Sequence, residues 1–159
     1  PYDGIFRRAV LNFKFHNCGA YAELLSHEMV RSIKDVYRDR EFDLVTCVPM
    51  HKDTLRKRGY NQAELLAKEC ARLLGIEYAD LLVKTKKNKT QHSIKAAERA
   101  KNVIGVYSPI DKNLIKGKRI LIIDDIITTG STLGECARIL NKCKCGEICC
   151  CTLCTSLLI

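Results

Sequence analysis

The residues of this chain with the clearest chemistry follow a short apolar run. Asp124 and Asp125 come directly after residues 119–123, and a segment of hydroxyl residues and glycine follows. The segment consists of Thr128, Thr129, Gly130, Ser131 and Thr132. Adjacent carboxylates can accept hydrogen bonds from neighbouring hydroxyls of a sugar. Amides and hydroxyls at the start of a helix favour a phosphate, because unpaired N–H groups and the helix dipole attract anions there. An apolar run followed by two acids and then by a hydroxyl-rich segment predicts a site for a sugar that carries a phosphate.

A second group of candidate residues follows another apolar run, Leu44 to Val48, which Pro49 ends. This group consists of Met50, His51, Lys52, Arg56 and Arg58. Its donors suit a pyrophosphate, since arginine can bind phosphate oxygens through two nitrogens at once. A solvated basic surface turn is the alternative interpretation.

The segments that must position these groups alternate between helical and strand patterns. Helices are predicted over about 20–38, from the cap residue Asn61 to Gly75, and after Thr132, where Thr132 and Glu135 have the spacing of a capping box. Strands are predicted at 44–48, 81–83, 119–123 and 148–153. A long basic loop is predicted between about Thr85 and Arg99. The alternation predicts an α/β fold with a mostly parallel sheet, in which both candidate groups open at the carboxyl ends of the strands.

Composition limits the class of protein. The chain has 159 residues, enough for one compact domain, and 1–159 is predicted to be a single domain. No apolar run approaches the roughly 18 residues that span a bilayer, and no signal-peptide pattern opens the chain. A cytoplasmic protein is expected, cut from a longer chain because residue 1 is proline.

The charge is strongly positive, at +9, and much of it lies between Lys84 and Lys101, where Glu98 is the single acid. A polyanionic small substrate and a nucleic acid both remain open as partners. No aromatic residues interleave with this stretch to stack on bases.

Six of the ten cysteines lie at the end of the chain, from Cys143 to Cys154. Buried reduced thiols are the expected state in a cytosolic protein. A zinc site at Cys151 and Cys154 is the alternative. In a strand, Cys149 and Cys151 should share one face, and Cys150 and Cys154 the other.

The acidic pair with Thr-Thr-Gly-Ser-Thr resembles the phosphoribosyl-pyrophosphate (PRPP) motif of type I phosphoribosyltransferases. The resemblance sharpens to the ComF family of phosphoribosyltransferase-like proteins through three further elements. These are Val-Pro-Met-His with Arg-Lys-Arg-Gly-Tyr-Asn-Gln-Ala-Glu-Leu-Leu within 48–66, Thr90-Gln91 with Glu98-Arg99 and Asn102-Val103, and residues 122–133. Lys14-Phe15 also looks like the family.

The resemblance implies a parallel sheet flanked by helices, with a small hood. Asp124 and Asp125 would be the catalytic acids that meet the ribose 2- and 3-hydroxyls. Residues 128–132 would hold the 5-phosphate, and 49–53 the pyrophosphate. A flexible loop would close over the sugar, with Lys86, Lys87, Lys89, Gln91 and Arg99 as its binding residues. Mg²⁺ would arrive bound to PRPP, so no metal ligands of the protein are predicted.

Two departures from the enzyme pattern leave the function open. Thr128 stands where 6-oxopurine phosphoribosyltransferases have an acid, and nothing like the family's cysteine-rich zinc-ribbon segment precedes Tyr2. One hypothesis is transfer of a phosphoribosyl group to a nitrogen nucleophile, with His51 or His92 as candidate proton carriers. The other is a non-catalytic PRPP-fold protein that acts in competence through single-stranded DNA or protein partners. A receiver domain is excluded by the late position of the acids, and a P-loop by the missing Gly-Lys-Ser/Thr.

Overall fold

The computed structural model describes residues 13, 19–86 and 103–155. The helices are α1 (Gly19–Val36), α2 (Lys52–Arg58), α3 (Gln62–Leu74), α4 (Lys112–Ile115) and α5 (Ser131–Lys142). The strands are β1 (Leu44–Cys47), β2 (Glu77–Tyr78), β3 (Leu82–Lys84), β4 (Tyr107–Pro109), β5 (Arg119–Ile127) and β6 (Glu147–Thr155). The larger sheet has four parallel strands in the order β2-β1-β5-β6, and a separate antiparallel ribbon pairs β3 with β4. The predicted parallel sheet flanked by helices is confirmed.

Strand β5 is the centre of the sheet because its apolar run is buried on both faces. All four residues from Ile120 to Ile123 are 0% exposed, as expected for a parallel strand between two layers. The strand is longer than predicted. It continues to Ile127, so the acidic pair lies inside the strand rather than after its end.

Helices α1 and α3 cover one face of the sheet. Their apolar residues pack with Val45, Leu121 and Ile123. Both ends of α3 form as predicted: the Asn61 side chain accepts from the amide of Ala63, and Gly75 ends the helix with a φ of 68°. The Glu64 carboxylate, in the first turn of the helix, accepts from Lys68 at 2.6 Å.

The opposite face is covered by α5, α4 and the β3–β4 ribbon. Leu133, Cys136 and Leu140 of α5 pack there with Ile120 and Ile122. Strand β3 begins one residue later than predicted, at Leu82. Its partner β4 was not predicted, because three residues ending in proline carry no readable period.

The cysteines of β6 divide between the two faces, with one exception to the prediction. Cys149 and Cys151 pack on the α1–α3 side and Cys150 on the α5 side. Cys154 packs with Cys149 rather than with Cys150, so its predicted face was wrong. The nine cysteines within the described residues are free thiols.

Among the helices described, none is both long enough and apolar enough to cross a bilayer.

Candidate functional site

The candidate site is a small cleft at the carboxyl end of β5. It has an accessible volume of about 20 Å³ and is lined by Asp124, Ile126, Ile127, Thr128, Gly130, Ser131, Thr132 and Leu133. An acid of the predicted pair and four of the five residues of the predicted hydroxyl turn therefore share one cavity. Asp125 and Thr129 lie beside the cleft without lining it.

The acidic pair interrupts the regular alternation of β5. The amide of Asp125 donates to the Asp124 carboxylate at 2.9 Å, and the amide of Ile126 donates to the Asp125 carboxylate, also at 2.9 Å. Before the pair, Ile123 packs on the α1–α3 side and Ile122 on the α5 side; after it, Ile126 packs on the first side and Ile127 on the second. Such local side-chain bonds compete with a regular ladder, and they turn this end of the strand toward the cleft.

Asp124 is the more perturbed acid. It is only 8% exposed. Burial, and then the negative charge of Asp125, raise the pKa of Asp124 to about 8, against a weaker lowering by the amide of Asp125. The cleft therefore holds a carboxyl that can donate or accept a hydrogen bond near neutral pH. Such poising is common at functional sites.

The hydroxyl turn forms the start of α5. Gly130 is the N-cap residue, with a φ of 72°, a conformation that costs a residue with a Cβ more than it costs glycine. The hydroxyls of Thr129 and Ser131 lie 2.8 Å apart, which orders the turn. The predicted capping box was wrong: Thr132 lies inside the first helical turn, and no side chain caps the helix. Glu135 binds elsewhere, and within the turn the amide of Ser131 donates to the Thr129 hydroxyl at 3.4 Å.

The basic group lies beside this cleft because β1 pairs in parallel with β5. Cys47 is in register with Ile123, and the amide of Val48 donates to the Ile123 carbonyl at 3.0 Å. His51 caps α2, its Nδ1 accepting from the amide of Asp53 at 3.2 Å. Met50 precedes that cap in the connecting loop. Lys52, Arg56 and Arg58 lie on α2, a helix that was not predicted, and all three are exposed.

The Arg-Gly-Tyr-Asn-Gln element, residues 58–62, connects α2 to α3, and this structural role explains two of its residues. Gly59 ends α2 with a φ of 83°, and two residues later Asn61 begins α3. The Asn61 amide group also donates to the Val48 carbonyl at 3.1 Å. One side chain therefore caps α3 and ties it to the loop that carries His51.

Lys84 is a site residue that sequence reasoning assigned only to a general basic stretch. It ends β3 opposite Tyr107 of β4, and its Nζ lies 5.5 Å from the centre of the Tyr107 ring. Burial lowers the pKa of Lys84, while nearby Cys136 and Asp124 act in the opposite direction. A half-buried cation thus approaches the acidic pair from the ribbon. Its position opposite an aromatic residue was the signal that could have identified it, had β4 been recognised.

The predicted flexible loop is only partly described. Lys86 is exposed just beyond β3. Lys87, Lys89, Gln91, His92 and Arg99 lie outside the described residues.

A Mg²⁺ ion fits this site only with help from a ligand. Across the described ranges, no group of three or more histidine, cysteine or acidic side chains could hold a metal ion. Oxygen ligands are what this ion prefers. The acidic pair could contribute carboxylate oxygens, and a bound polyphosphate and water would have to supply the rest.

A larger cavity lies at the opposite edge of the sheet, at the amino ends of the strands. Its lining includes Lys34, Arg38, Arg40 and Arg119 beside Phe42 and Ile76. Arg119 pairs with Glu41 and Asp43, and Arg40 with Glu147. Helices α1 and α3 end here, and cations at helix C-termini offset the negative end of the dipole. These charges serve the fold, so size alone does not make this cavity the functional one.

Comparison with known proteins identifies the family of this chain. A family model described as the phosphoribosyl transferase domain matches residues 61–157. The chain belongs to this family. The matched part contains the acidic pair, the hydroxyl turn and the ribbon, whereas β1 and α2 lie before it.

This phosphoribosyltransferase-like chain has relatives named for competence and for DNA utilization. It is 33% identical over 144 residues to competence protein F of Haemophilus influenzae, covering 87% of this chain and 63% of that protein. It is 30% identical over 101 residues to DNA utilization protein YhgH of Escherichia coli K12, covering 63% of this chain and 44% of that protein. The chain thus spans less than two thirds of the length of these relatives. The resemblance to the ComF family is confirmed.

The fold also agrees with solved structures. Adenine phosphoribosyltransferase from Saccharomyces cerevisiae superposes with a TM-score of 0.56 at 15% identity, over 89% of this chain and 72% of that chain. At this identity the match concerns the fold alone.

Proposed function

We propose that this chain binds PRPP together with Mg²⁺ in the cleft at the end of β5 and transfers its phosphoribosyl group to a nitrogen nucleophile. The observation that carries the proposal is the shared cavity of Asp124 and the hydroxyl turn. An acid and a hydroxyl-rich helix start in one cavity suit the two ends of a ribose 5-phosphate.

Each part of the ligand has a chemical counterpart. The 5-phosphate would meet the amides and hydroxyls of residues 128–132, at the positive end of α5. The 2- and 3-hydroxyls would meet Asp124 and Asp125. The pyrophosphate would lie between the loop at Met50 and His51, the cations of α2, and Lys84 of the ribbon.

The reaction would break the bond between ribose C1 and the pyrophosphate oxygen and form a bond from C1 to nitrogen. Positive charge that develops on the sugar ring is stabilised by nearby carboxylates. Negative charge on the departing pyrophosphate is stabilised by Lys84 and the basic residues after β1, and bound Mg²⁺ would add to that neutralisation. The proton of the nucleophile must leave as the bond forms, and an ionised carboxylate of the acidic pair would accept it.

Calorimetry with PRPP and Mg²⁺ tests the binding site. We expect the double variant Asp124→Asn, Asp125→Asn to lose at least tenfold in affinity, since the pair loses its negative charge and two of the oxygens that can accept from the diol. Asp39→Asn, which changes an exposed acid before β1, is the matched control and should bind as the wild type does. Equal affinities for all three proteins would remove the ribose-binding role.

A second candidate function is a PRPP-fold protein that acts in competence without turnover, through single-stranded DNA or protein partners. The net charge of +9 and the names of the relatives favour it. Release of pyrophosphate from PRPP with a panel of nucleobases and amines would support the enzyme. If no nucleobase or amine caused pyrophosphate release and the protein bound DNA in a salt-sensitive way, the second candidate would be supported.

The basic stretch provides the variant for the DNA experiment. Changing Lys86, Lys87 and Lys89 to Gln should weaken single-stranded DNA binding and reduce the dependence of log K on log salt by up to about two units, because fewer counterions are released. Lys112, Lys116 and Lys118 changed to Gln serve as a control of equal charge. If both triple variants give the wild-type slope, the lysines of the basic stretch are solvated surface.

A further inference from the structure

Glu135 is a buried acid that the proposed chemistry does not use. It lies on α5, one turn beyond Thr132, and is 4% exposed. One carboxylate oxygen accepts from the amide of Gly105 at 2.8 Å, and the guanidinium of Arg138 donates to both oxygens at 2.6 Å. The Arg138 hydrogen bonds, followed by that of Gly105, hold the pKa of Glu135 below its usual range against the effect of burial. The carboxylate is therefore ionised and aimed at another element of the fold.

Gly105 stands at the foot of the β3–β4 ribbon. Its φ is 70°, and Tyr107 begins β4 two residues later. The carbonyl of Val106 accepts from the amide of Thr85, just beyond β3, at 2.8 Å. A bond that holds Gly105 in place therefore also restrains β4, which follows it, and β3, which is paired with β4.

The ribbon carries a cation toward the acidic pair. Tyr107 is 4% exposed and packs in one cluster with Leu133 and Cys136 of α5. Lys84, opposite Tyr107, lies over its ring. Besides apolar contacts, the Tyr107 hydroxyl interacts with the Thr132 side chain across ribbon and helix. The bond from the Gly105 amide to the Glu135 carboxylate is the charge-assisted contact between them.

We propose that Glu135 is a positioning residue whose bond to Gly105 latches the ribbon onto α5 and so sets the place of Lys84 beside Asp124. The phosphate turn and the Glu135 latch lie on the same helix. The acid, the turn and the cation are thereby held in one frame around the cleft. The consequence for ligand binding rests on the proposed function, but the latch itself does not.

Nuclear magnetic resonance of ¹³C-lysine-labelled protein, without ligand, tests the latch directly. The groups that face Lys84 are Asp124 on β5, Cys136 on α5 and Tyr107 on β4. In the wild type, the Lys84 signal should titrate below the ordinary lysine pKa. In Glu135→Ala it should move toward that ordinary value, because the ribbon is no longer held against α5. The Gly105 amide should also exchange with solvent at least tenfold faster.

Arg138→Gln is the matched control for this experiment. It removes the ion pair within α5 and keeps the carboxylate bonded to Gly105, so Lys84 should titrate as in the wild type. Glu135→Leu, which is close to the original side-chain volume and cannot accept from the Gly105 amide, replaces Glu135→Ala if the smaller side chain prevents folding. An unchanged Lys84 titration in the Glu135 variant, or the same change in Arg138→Gln, would overturn the proposal.

A double-mutant cycle measures the effect on the ligand. Glu135→Ala should weaken PRPP and Mg²⁺ binding about fivefold to tenfold, within the usual range for residues that act at a distance. In a Lys84→Met background the same change should weaken binding less than twofold, because the residue through which it acts is gone. Additive effects would show that Glu135 does not act through Lys84. A wild-type protein that fails to bind PRPP would instead refute the proposed function, and the ligand-free titration would still decide the latch.

Discussion

At the scale of single residues, two aspartates of the same sheet have opposite electrostatic roles. Asp43 accepts three hydrogen bonds from Arg119, at 2.8, 3.1 and 2.8 Å, and these hold the pKa of Asp43 well below its usual range. The pKa of Asp124 is raised, because burial and Asp125 disfavour its charge. The first acid stabilises the amino-end edge of the sheet, whereas the second is held at a cost to stability in the cleft, where a ligand can use it.

The raised pKa gives a prediction for stability against pH. Asp124 binds a proton more tightly in the folded state, so its contribution to stability falls as pH rises from about 4 to about 8. Asp124→Asn should therefore leave stability almost unchanged near pH 4 and increase it by about 1–3 kcal/mol at pH 8. Urea denaturation at a series of pH values measures this difference.

Asp43→Asn is the contrasting variant in the same denaturation series. A lowered pKa contributes stability above the unfolded pKa and loses it as pH falls, so this variant should be destabilised at pH 7 and equal to the wild type in strong acid. If the difference in stability between Asp124→Asn and the wild type did not change with pH, the raised pKa of Asp124 would be contradicted.

At the scale of elements, the junction between β5 and α5 decides the shape of the cleft. Gly130 and Gly134 lie four residues apart, and the amide of Gly134 donates to the Gly130 carbonyl at 2.8 Å. Only Gly130 has a positive φ, of 72°, while no atom lies within 4 Å of a Cβ added to Gly134. Gly130 is needed for the conformation of the turn, whereas Gly134 lies in regular helix and can be replaced.

This difference predicts opposite effects of the same substitution. Gly130→Ala should cost about 1–2 kcal/mol, because a Cβ is strained in the left-handed conformation. Gly134→Ala should gain roughly 0.5–1 kcal/mol, because alanine loses less backbone entropy in a helix. Thermal unfolding of the two variants makes the comparison, and similar shifts in Tm would show that the turn does not need the conformation described.

At the scale of the whole molecule, the register of the two long strands is fixed where their connections meet. The amide of Gly117 donates to the Lys144 carbonyl, and the amide of Gly146 to the Lys118 carbonyl, both at 2.8 Å. A Cβ on Gly146 would lie 2.6 Å from the carbonyl oxygen of Gly117. The chains approach so closely that only glycine fits without movement of backbone.

Gly146→Ala should therefore destabilise the protein by about 1–3 kcal/mol through crowding of the backbone. The acidic pair lies on β5. Ligand affinity should therefore fall with stability only if the backbone movement at Gly146 is transmitted along β5 to the pair. Urea unfolding gives the first quantity and calorimetry the second. Stability equal to that of the wild type would mean that the two connections separate easily.

The sequence by itself determined the chemistry of the cleft and the order of the elements. Apolar runs that end in Asp124 and in Pro49 predict strands, and Asn61 and Gly75 mark the ends of α3, because these signals depend on residues close in the chain. Parallel strands then bring their carboxyl ends to one edge, so the acidic pair and the basic group could be placed together before any coordinates.

Tertiary structure alone decided which distant residues serve that cleft. Glu135 has the spacing of a capping box with Thr132, yet its carboxylate bonds to Gly105, thirty residues away. Lys84 lies close enough to Asp124 for their charges to interact because β3 pairs with β4, a strand too short to be recognised. The acids lie within β5 because β6 continues to pair alongside it, from Asp124 with Thr152 to Ile127 with Thr155. Such contacts depend on packing between segments far apart in the chain, and local sequence patterns carry no information about their partners.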